Sequence, residues 1–192
     1  MRGTARRLAL ALLLALAGAG AFAQPAPAPV RFDPAHTRFG FELRTRWGQR
    51  IAGEFPRYAG ELLRLPDGRR QVRIELDARA VRIRRSARWS AVARGAAFFD
   101  AERSPQLEFL SAPFADELLH QGGALPGMLS LRGRRRAETI VLEPAACARP
   151  GVDCDLIGRG TLSRADYGMD GWAFVLGDRV RLQLRVRLQE AP

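Results

Sequence analysis

Apolar and polar residues alternate along most of the chain after residue 30. The clearest run extends from Arg179 to Leu188, where valine or leucine at every second position alternates with arginine or glutamine. This period of two is typical of a β-strand with one buried face. The same reading predicts further strands at residues 39–43, 51–63, 72–78, 107–109, 125–131, 140–142 and 158–163.

Turn-forming sequences such as Pro66 to Gly68 and Pro150 to Gly151 separate these runs. About eight strands joined by short turns, each with one apolar face, predict an all-β antiparallel barrel or sandwich. We favour an eight-stranded closed barrel, because the strand from Arg179 to Leu188 would be an adhesive edge if it were unpaired. The interior of such a barrel is filled by side chains or by one slender ligand.

One segment follows the period of a helix instead. Trp89, Val92, Ala93 and Ala96 are spaced i, i+3, i+4 and i+7, and Ser86 precedes them as an N-cap residue. The spacing predicts one short helix between residues 86 and 96.

The N-terminal residues have the pattern of a secretory signal. Three arginines precede an apolar run from Leu8 to Phe22, and Ala21 to Ala23 has the small-x-small form of a cleavage site. We therefore expect a signal peptide at residues 1–23, a proline- and alanine-rich spacer at 24–29, and one barrel domain at 30–190. The processed protein is predicted to be periplasmic.

Two cysteines, Cys147 and Cys154, lie on either side of a turn-forming stretch. In an oxidising compartment, cysteines so spaced most simply form one local disulfide that stabilises a hairpin. A redox or metal site is the less favoured alternative, because the spacing is wider than Cys-x-x-Cys and no histidine lies nearby.

All 31 basic residues are arginine, and they exceed the 20 acidic residues by 11. Three of these arginines lie in the predicted signal. Nucleic-acid binding is not expected, because arginines at alternate strand positions form a solvated outer face and an exported protein rarely meets nucleic acid. The densest cluster, from Arg132 to Arg136, lies at a predicted turn and is a candidate for lipid phosphates or a pyrophosphate. Docking of the arginine face on an anionic membrane or a partner protein is the alternative function.

Catalytic motifs are scarce. The sequence has no nucleophile elbow, no Walker loop and no zinc-protease motif, and it suggests no metal or cofactor. An enzyme could still use Asp33, His36 and Asp166 if these residues converged at the barrel mouth. We consider a non-enzymatic role the better reading.

Five stretches resemble the YceI-like family and follow one another in its order. Residues 32–37 are similar to its Asp-x-x-His-Ser entrance, and residues 53–60 to its glycine-bearing second strand. Residues 98–109 resemble its Phe-Phe-Asp segment, residues 127–133 its Gly-x-Leu-Thr-x-Arg-Gly turn, and residues 164–169 its Arg-x-Asp-Phe-Gly-Met signature. The resemblance covers residues 30 to 190.

This resemblance implies a lipocalin-like eight-stranded barrel that binds a long isoprenoid or similar amphiphilic lipid in an apolar cavity. It also implies a periplasmic location, a dimer for some members and no catalytic activity.

Aromatic and sulfur-containing side chains suit a cavity for such a lipid, although each of them could equally fill the barrel. The candidates for the cavity or its mouth are Phe39, Phe41, Phe55, Phe98, Phe99, Phe109, Met128, Tyr167, Met169 and Trp172. The candidates for an anionic headgroup are Arg132, Arg134 and Arg164.

Overall fold

A computed structural model describes residues 28–190. The predicted signal peptide and most of the predicted spacer lie outside these residues. Eleven strands form one antiparallel sheet whose order is β1-β4-β5-β7-β8-β9-β10-β11-β2-β3-β6. The strands are β1 (Val30–Arg31), β2 (Arg38–Thr45), β3 (Arg50–Glu54), β4 (Tyr58–Arg64), β5 (Arg70–Asp77), β6 (Arg82–Ile83), β7 (Gln106–Ser111), β8 (Gly123–Leu131), β9 (Arg134–Leu142), β10 (Leu156–Ser163) and β11 (Leu176–Val186).

The helices are short. They are α1 (Ala87–Arg94), α2 (Glu117–Gln121) and two 3-10 turns at Ala78–Ala80 and Ala165–Tyr167. The predicted helix is confirmed as α1, and the Ser86 hydroxyl caps it by accepting a hydrogen bond from the Trp89 amide at 3.1 Å. Within residues 28–190, no helix has the length and apolarity needed to span a bilayer.

The all-β barrel class is confirmed, but the number of strands is eleven rather than eight. The predicted bent strand at residues 51–63 is two strands, β3 and β4, separated at Pro56. The other two additional strands, β1 and β6, have two residues each, too few for alternation to be seen in the sequence. The helix α2 was also missed, because five residues are too few for a helical period to be seen in the sequence.

The sheet is curled, and residues 30–32 connect β4 to the chain after β11. On one side Val30 is paired with Leu62 of β4. On the other, Phe32 forms a bridge with Leu188, and the Gln189 amide donates to the Arg31 carbonyl at 2.8 Å. We call this closed end the base, and the opposite end, where the β2–β3 turn and α1 lie, the mouth end.

The predicted adhesive edge is covered, because β11 is paired with β10 along one side and with β2 along the other. Arg181 and Arg185 of β11 are exposed on the outer face, as the alternation predicts. On that face the carboxylate of Glu42 lies near three guanidinium groups, those of Arg50 at 3.2 Å, Arg181 at 3.6 Å and Arg44 at 4.0 Å. Much of the arginine excess therefore coats the barrel.

Two inward-facing glycines make room for phenylalanine rings inside the barrel. A Cβ atom on Gly53 would lie 2.3 Å from Cζ of Phe41, and one on Gly127 would lie 2.5 Å from Cζ of Phe109. Each ring therefore lies directly against the neighbouring strand, and this close packing depends on the missing side chain.

The predicted disulfide between Cys147 and Cys154 is present, in the connection between β9 and β10 at the base. Its loop is attached to the end of β11, because the Gly151 carbonyl accepts a hydrogen bond from the Leu188 amide at 2.7 Å. Arg187 adds a hydrogen bond to the Val152 carbonyl at 2.9 Å.

Replacing both cysteines, Cys147→Ala and Cys154→Ala, is expected to lower the free energy of unfolding by about 2 kcal/mol, because the unfolded chain regains the entropy of a short closed loop. Urea unfolding under oxidising conditions measures the change. Reductant should destabilise the natural protein by the same amount and leave the double variant unaffected. Equal stability of the two proteins would contradict a stabilising role for the bridge.

Candidate functional site

The mouth end of the barrel contains a cavity of about 600 Å³. Its floor and walls are inward-facing leucines and valines of β7, β8, β10 and β11, and α1 covers one side. Below it the interior is filled, with a residual space of only about 50 Å³ among the side chains of the base. The interior between the strands is therefore filled toward the base and hollow toward the mouth.

Three phenylalanines form an aromatic cluster on the cavity wall. The ring centroids of Phe41 and Phe55 are 5.5 Å apart, those of Phe41 and Phe99 are 5.8 Å apart, and those of Phe55 and Phe99 are 5.4 Å apart. Such tilted and edge-on contacts are favourable for aromatic pairs. The predicted cavity residues that the structure places on the wall are Phe41, Phe55, Phe98, Phe99, Met169 and Trp172.

Four other predicted cavity residues lie elsewhere. Phe39 and Phe109 are packed inside the barrel away from the cavity, Phe39 against Tyr58 with ring centroids 4.9 Å apart. Met128 lies out of phase with its buried neighbour Leu129 on β8, so its side chain is on the outer face. The alternation of β8 already contained this information.

Tyr167 is fully buried but does not line the cavity. Its hydroxyl donates a hydrogen bond to the Glu138 carboxylate at 2.8 Å. Burial and this hydrogen bond raise the pKa of Tyr167. Tyr167 therefore lies outside the predicted cavity, and its hydrogen bond holds the 3-10 turn at Ala165–Tyr167 against β9.

Sequence reasoning missed much of the lining. The helical face of Trp89, Val92 and Ala93 was recognised as a helix but not as a cavity wall, and Trp47 stands alone in a turn where no periodicity marks it. The leucines of β8 and β11 were recognised as buried, and only the three-dimensional curl of the sheet shows that they face empty space.

Arg164 is the buried cation of the cavity wall, with 4% of its surface exposed. Its Nε donates to the Gly177 carbonyl and its Nη1 to the Gly171 carbonyl, both at 3.1 Å. The guanidinium carbon also lies 5.8 Å from the centroid of the Phe98 ring, within the range of a cation–π contact. Burial lowers the pKa of Arg164. Within residues 28–190, no carboxylate lies within 4.0 Å of Arg164, and the hydrogen bonds of its guanidinium come from Nε and Nη1.

The other two predicted headgroup arginines are engaged by the protein itself. Arg132 donates to the Gly168 carbonyl and, at 2.9 Å, to the Ala96 carbonyl. Arg134 donates to the Asp166 carbonyl at 3.1 Å. Neither residue lines the cavity. The arginine-rich turn therefore fastens the loop after β10 and the loop after α1 to the barrel.

The alternative catalytic grouping is not assembled. His36 and Asp33 are hydrogen-bonded to each other at the base, and this bond lowers the pKa of Asp33. Asp166 follows β10 at the mouth end, where its carboxylate is 4.0 Å from Arg136. Because the pair and Asp166 lie at opposite ends of the barrel, the three groups cannot act on one substrate.

Comparison with known proteins gives a consistent picture. The chain matches the profile of the YceI-like domain over residues 31–188. No curated protein sequence matches it. It is similar to the crystal structure of BcnA from Burkholderia cenocepacia, with a TM-score of 0.63 and 14% identity over 81% of this chain and 98% of that one.

Two further solved structures share the fold. A polyisoprenoid binding domain from Saccharophagus degradans, implicated in plant cell wall breakdown, has a TM-score of 0.63 and 11% identity over 85% of this chain and 98% of that one. The YCEI protein of Campylobacter jejuni has a TM-score of 0.52 and 13% identity over 72% of this chain and 85% of that one.

The substitution Arg164→Lys is expected to lower the free energy of unfolding by about 2 kcal/mol, because an ammonium group cannot keep both carbonyl hydrogen bonds of the planar guanidinium. Chemical denaturation measures the difference. Arg135→Lys is the matched control, since within residues 28–190 Arg135 is an exposed side chain without an ion pair or hydrogen bond. If both variants unfold like the natural protein, Arg164 does not stabilise the mouth end.

Proposed function

The chain belongs to the YceI-like family, and on that premise we propose that it binds and carries a long-chain isoprenoid or a similar amphiphilic lipid in the barrel cavity without catalysing a reaction. The neighbouring structure described as a polyisoprenoid binding domain supports this class of ligand. The single observation that carries the proposal is the apolar cavity of about 600 Å³ at the mouth end.

The size and lining of the cavity suit a lipid chain. Ligand pockets commonly have volumes of about 300–1,000 Å³ and are lined mainly by apolar and aromatic side chains. Each 100 Å² of apolar lipid surface removed from water contributes about 2.5 kcal/mol. Burial of a few hundred Å² therefore offsets the cost of association and supports micromolar binding.

Arg164 is the proposed contact for the polar head of the lipid. Its Nε and Nη1 are held by the carbonyls of Gly177 and Gly171, so the guanidinium has a fixed orientation. A hydrogen bond from its remaining donor to a ligand oxygen would be strong, because the donor is charged. Arg132 and Arg134 are not part of this proposal, because neither residue lines the cavity.

A periplasmic location is part of the proposal. The N-terminal pattern of arginines, apolar run and small residues supports export. The disulfide between Cys147 and Cys154 supports an oxidising compartment. The separation of Asp33 and His36 from Asp166 supports a binding role rather than catalysis.

The substitution Ala93→Trp is expected to weaken lipid binding at least about tenfold, because the new ring occupies the space that the lipid chain needs. Delipidated protein titrated with geranylgeraniol, a twenty-carbon isoprenoid alcohol, gives the affinity. Ala91→Trp is the matched control on the same helix, where Ala91 is exposed and does not line the cavity. Thermal unfolding of both variants checks that the fold is retained.

Solvent extraction of protein purified from cells, followed by mass spectrometry, provides the independent measurement. The natural protein and the Ala91→Trp variant should carry an apolar molecule that the Ala93→Trp variant lacks. Repeated recovery of empty natural protein, together with equal titration curves for the two variants, would overturn the proposed function.

A further inference from the structure

Large apolar side chains are exposed mainly at one place on the barrel. Within residues 28–190 five are exposed, and four of them surround the mouth: Trp47 at 76%, Phe174 at 76%, Trp89 at 42% and Trp172 at 40%. The fifth, Val141, lies on β9 toward the base. We call the four aromatic residues the mouth patch.

The elements that carry the mouth patch are joined to one another. The Arg46 amide donates to the Val175 carbonyl at 2.8 Å, and the Arg46 guanidinium donates to the Ala173 carbonyl at 3.0 Å, so the β2–β3 turn is tied to the loop before β11. The Trp89 and Trp172 rings meet edge to face with centroids 5.2 Å apart, which joins that loop to α1.

Trp172 occupies an unfavourable backbone conformation. Its φ is 60°, in the left-handed region where glycine is the ordinary residue and a bulky side chain is strained. Such strain persists where the surrounding structure imposes it, and it is concentrated at functional sites. The Trp172 ring is held in this conformation with 40% of its surface exposed at the mouth.

The side of the mouth rim that residues 78–99 form is strongly basic. Residues 78–99 contain six arginines and no acidic residue. Arg84, Arg85 and Arg88 are exposed, and within residues 28–190 none of them has a carboxylate within 4.0 Å. In contrast, the arginines around Glu42 share a carboxylate. Unpaired cations next to exposed aromatic rings therefore distinguish this end of the protein.

We propose that the mouth patch docks on the surface of an anionic phospholipid bilayer. Tryptophan rings favour the boundary between lipid headgroups and acyl chains. Exposed arginines are attracted to anionic headgroups and bind phosphates with paired hydrogen bonds. The cavity opens within this patch, so a docked molecule faces the lipid phase directly. The inference extends the proposed function, since it names the surface through which a lipid would enter or leave.

Vesicles give a direct test, because the chain has three tryptophans and all of them belong to the mouth patch. The natural protein should co-sediment with vesicles of phosphatidylglycerol and phosphatidylcholine, and much less with phosphatidylcholine alone. Lipids brominated on their acyl chains should quench the tryptophan fluorescence of the bound protein. Added salt should weaken binding, because it screens the attraction to the anionic surface.

Matched variants separate the aromatic and the electrostatic contributions. Trp47→Ser with Phe174→Ser is expected to reduce vesicle binding at least about tenfold, whereas Val141→Ser should leave it unchanged. Arg84→Gln with Arg85→Gln is expected to reduce it about tenfold or more, since each arginine near an anionic membrane contributes about fivefold. Arg31→Gln with Arg64→Gln, two exposed arginines toward the base, removes the same charge and should have a much smaller effect.

Three results would overturn the docking proposal. These are equal binding to neutral and anionic vesicles, binding without quenching of the tryptophans, and self-association of the protein in light scattering that the Trp47→Ser and Phe174→Ser changes abolish. The last result would assign the mouth patch to a contact between two copies of the chain. Failure of the proposed function is distinguishable, because an Ala93→Trp variant that loses lipid uptake should still co-sediment with anionic vesicles.

Discussion

Closure of the sheet by the chain around β1 is the constraint on which the interior depends. At the base, residues 30–32 form hydrogen bonds with β4 on one side and with the chain after β11 on the other. Toward the mouth, no ladder within residues 28–190 joins β3 to β4, and β6 with α1 completes the wall there. A wall made of a helix and turns does not draw the strands together as hydrogen-bonded neighbours do. The side chains therefore fill the base and leave space toward the mouth.

Arginine has three structural tasks in this barrel. On the outer face its side chains coat the strands and surround Glu42. Between β8 and β9, Arg132 of the turn and Arg134 at the start of β9 donate to loop carbonyls. On the cavity wall, Arg164 binds one carbonyl in the loop before β11 and one at the start of β11. Only 4% of its surface is exposed. The planar five-donor guanidinium suits all three tasks, and an ammonium group would not.

Much of the fold was predictable from local pattern, and much of the site was not. Alternation located β11 and β8 because each is long enough for its buried face to be recognised, whereas β1 and β6 depend on partners that are distant in sequence. Met128 was placed in the cavity by its residue type, although the alternation of β8 puts it outside. Tyr167 and Arg132 satisfy partners that only the folded loops bring near, so no short-range signal could separate them from ligand contacts.

The contact between Gly53 and the Phe41 ring shows that the backbone of the barrel wall helps to determine the shape of the cavity. The tip of the ring packs against β3 only because Gly53 has no side chain. A single methyl group at position 53 would press on the ring from the wall and tilt it toward the hollow interior. The depth available to a guest molecule is thus adjustable by residues that the guest never touches.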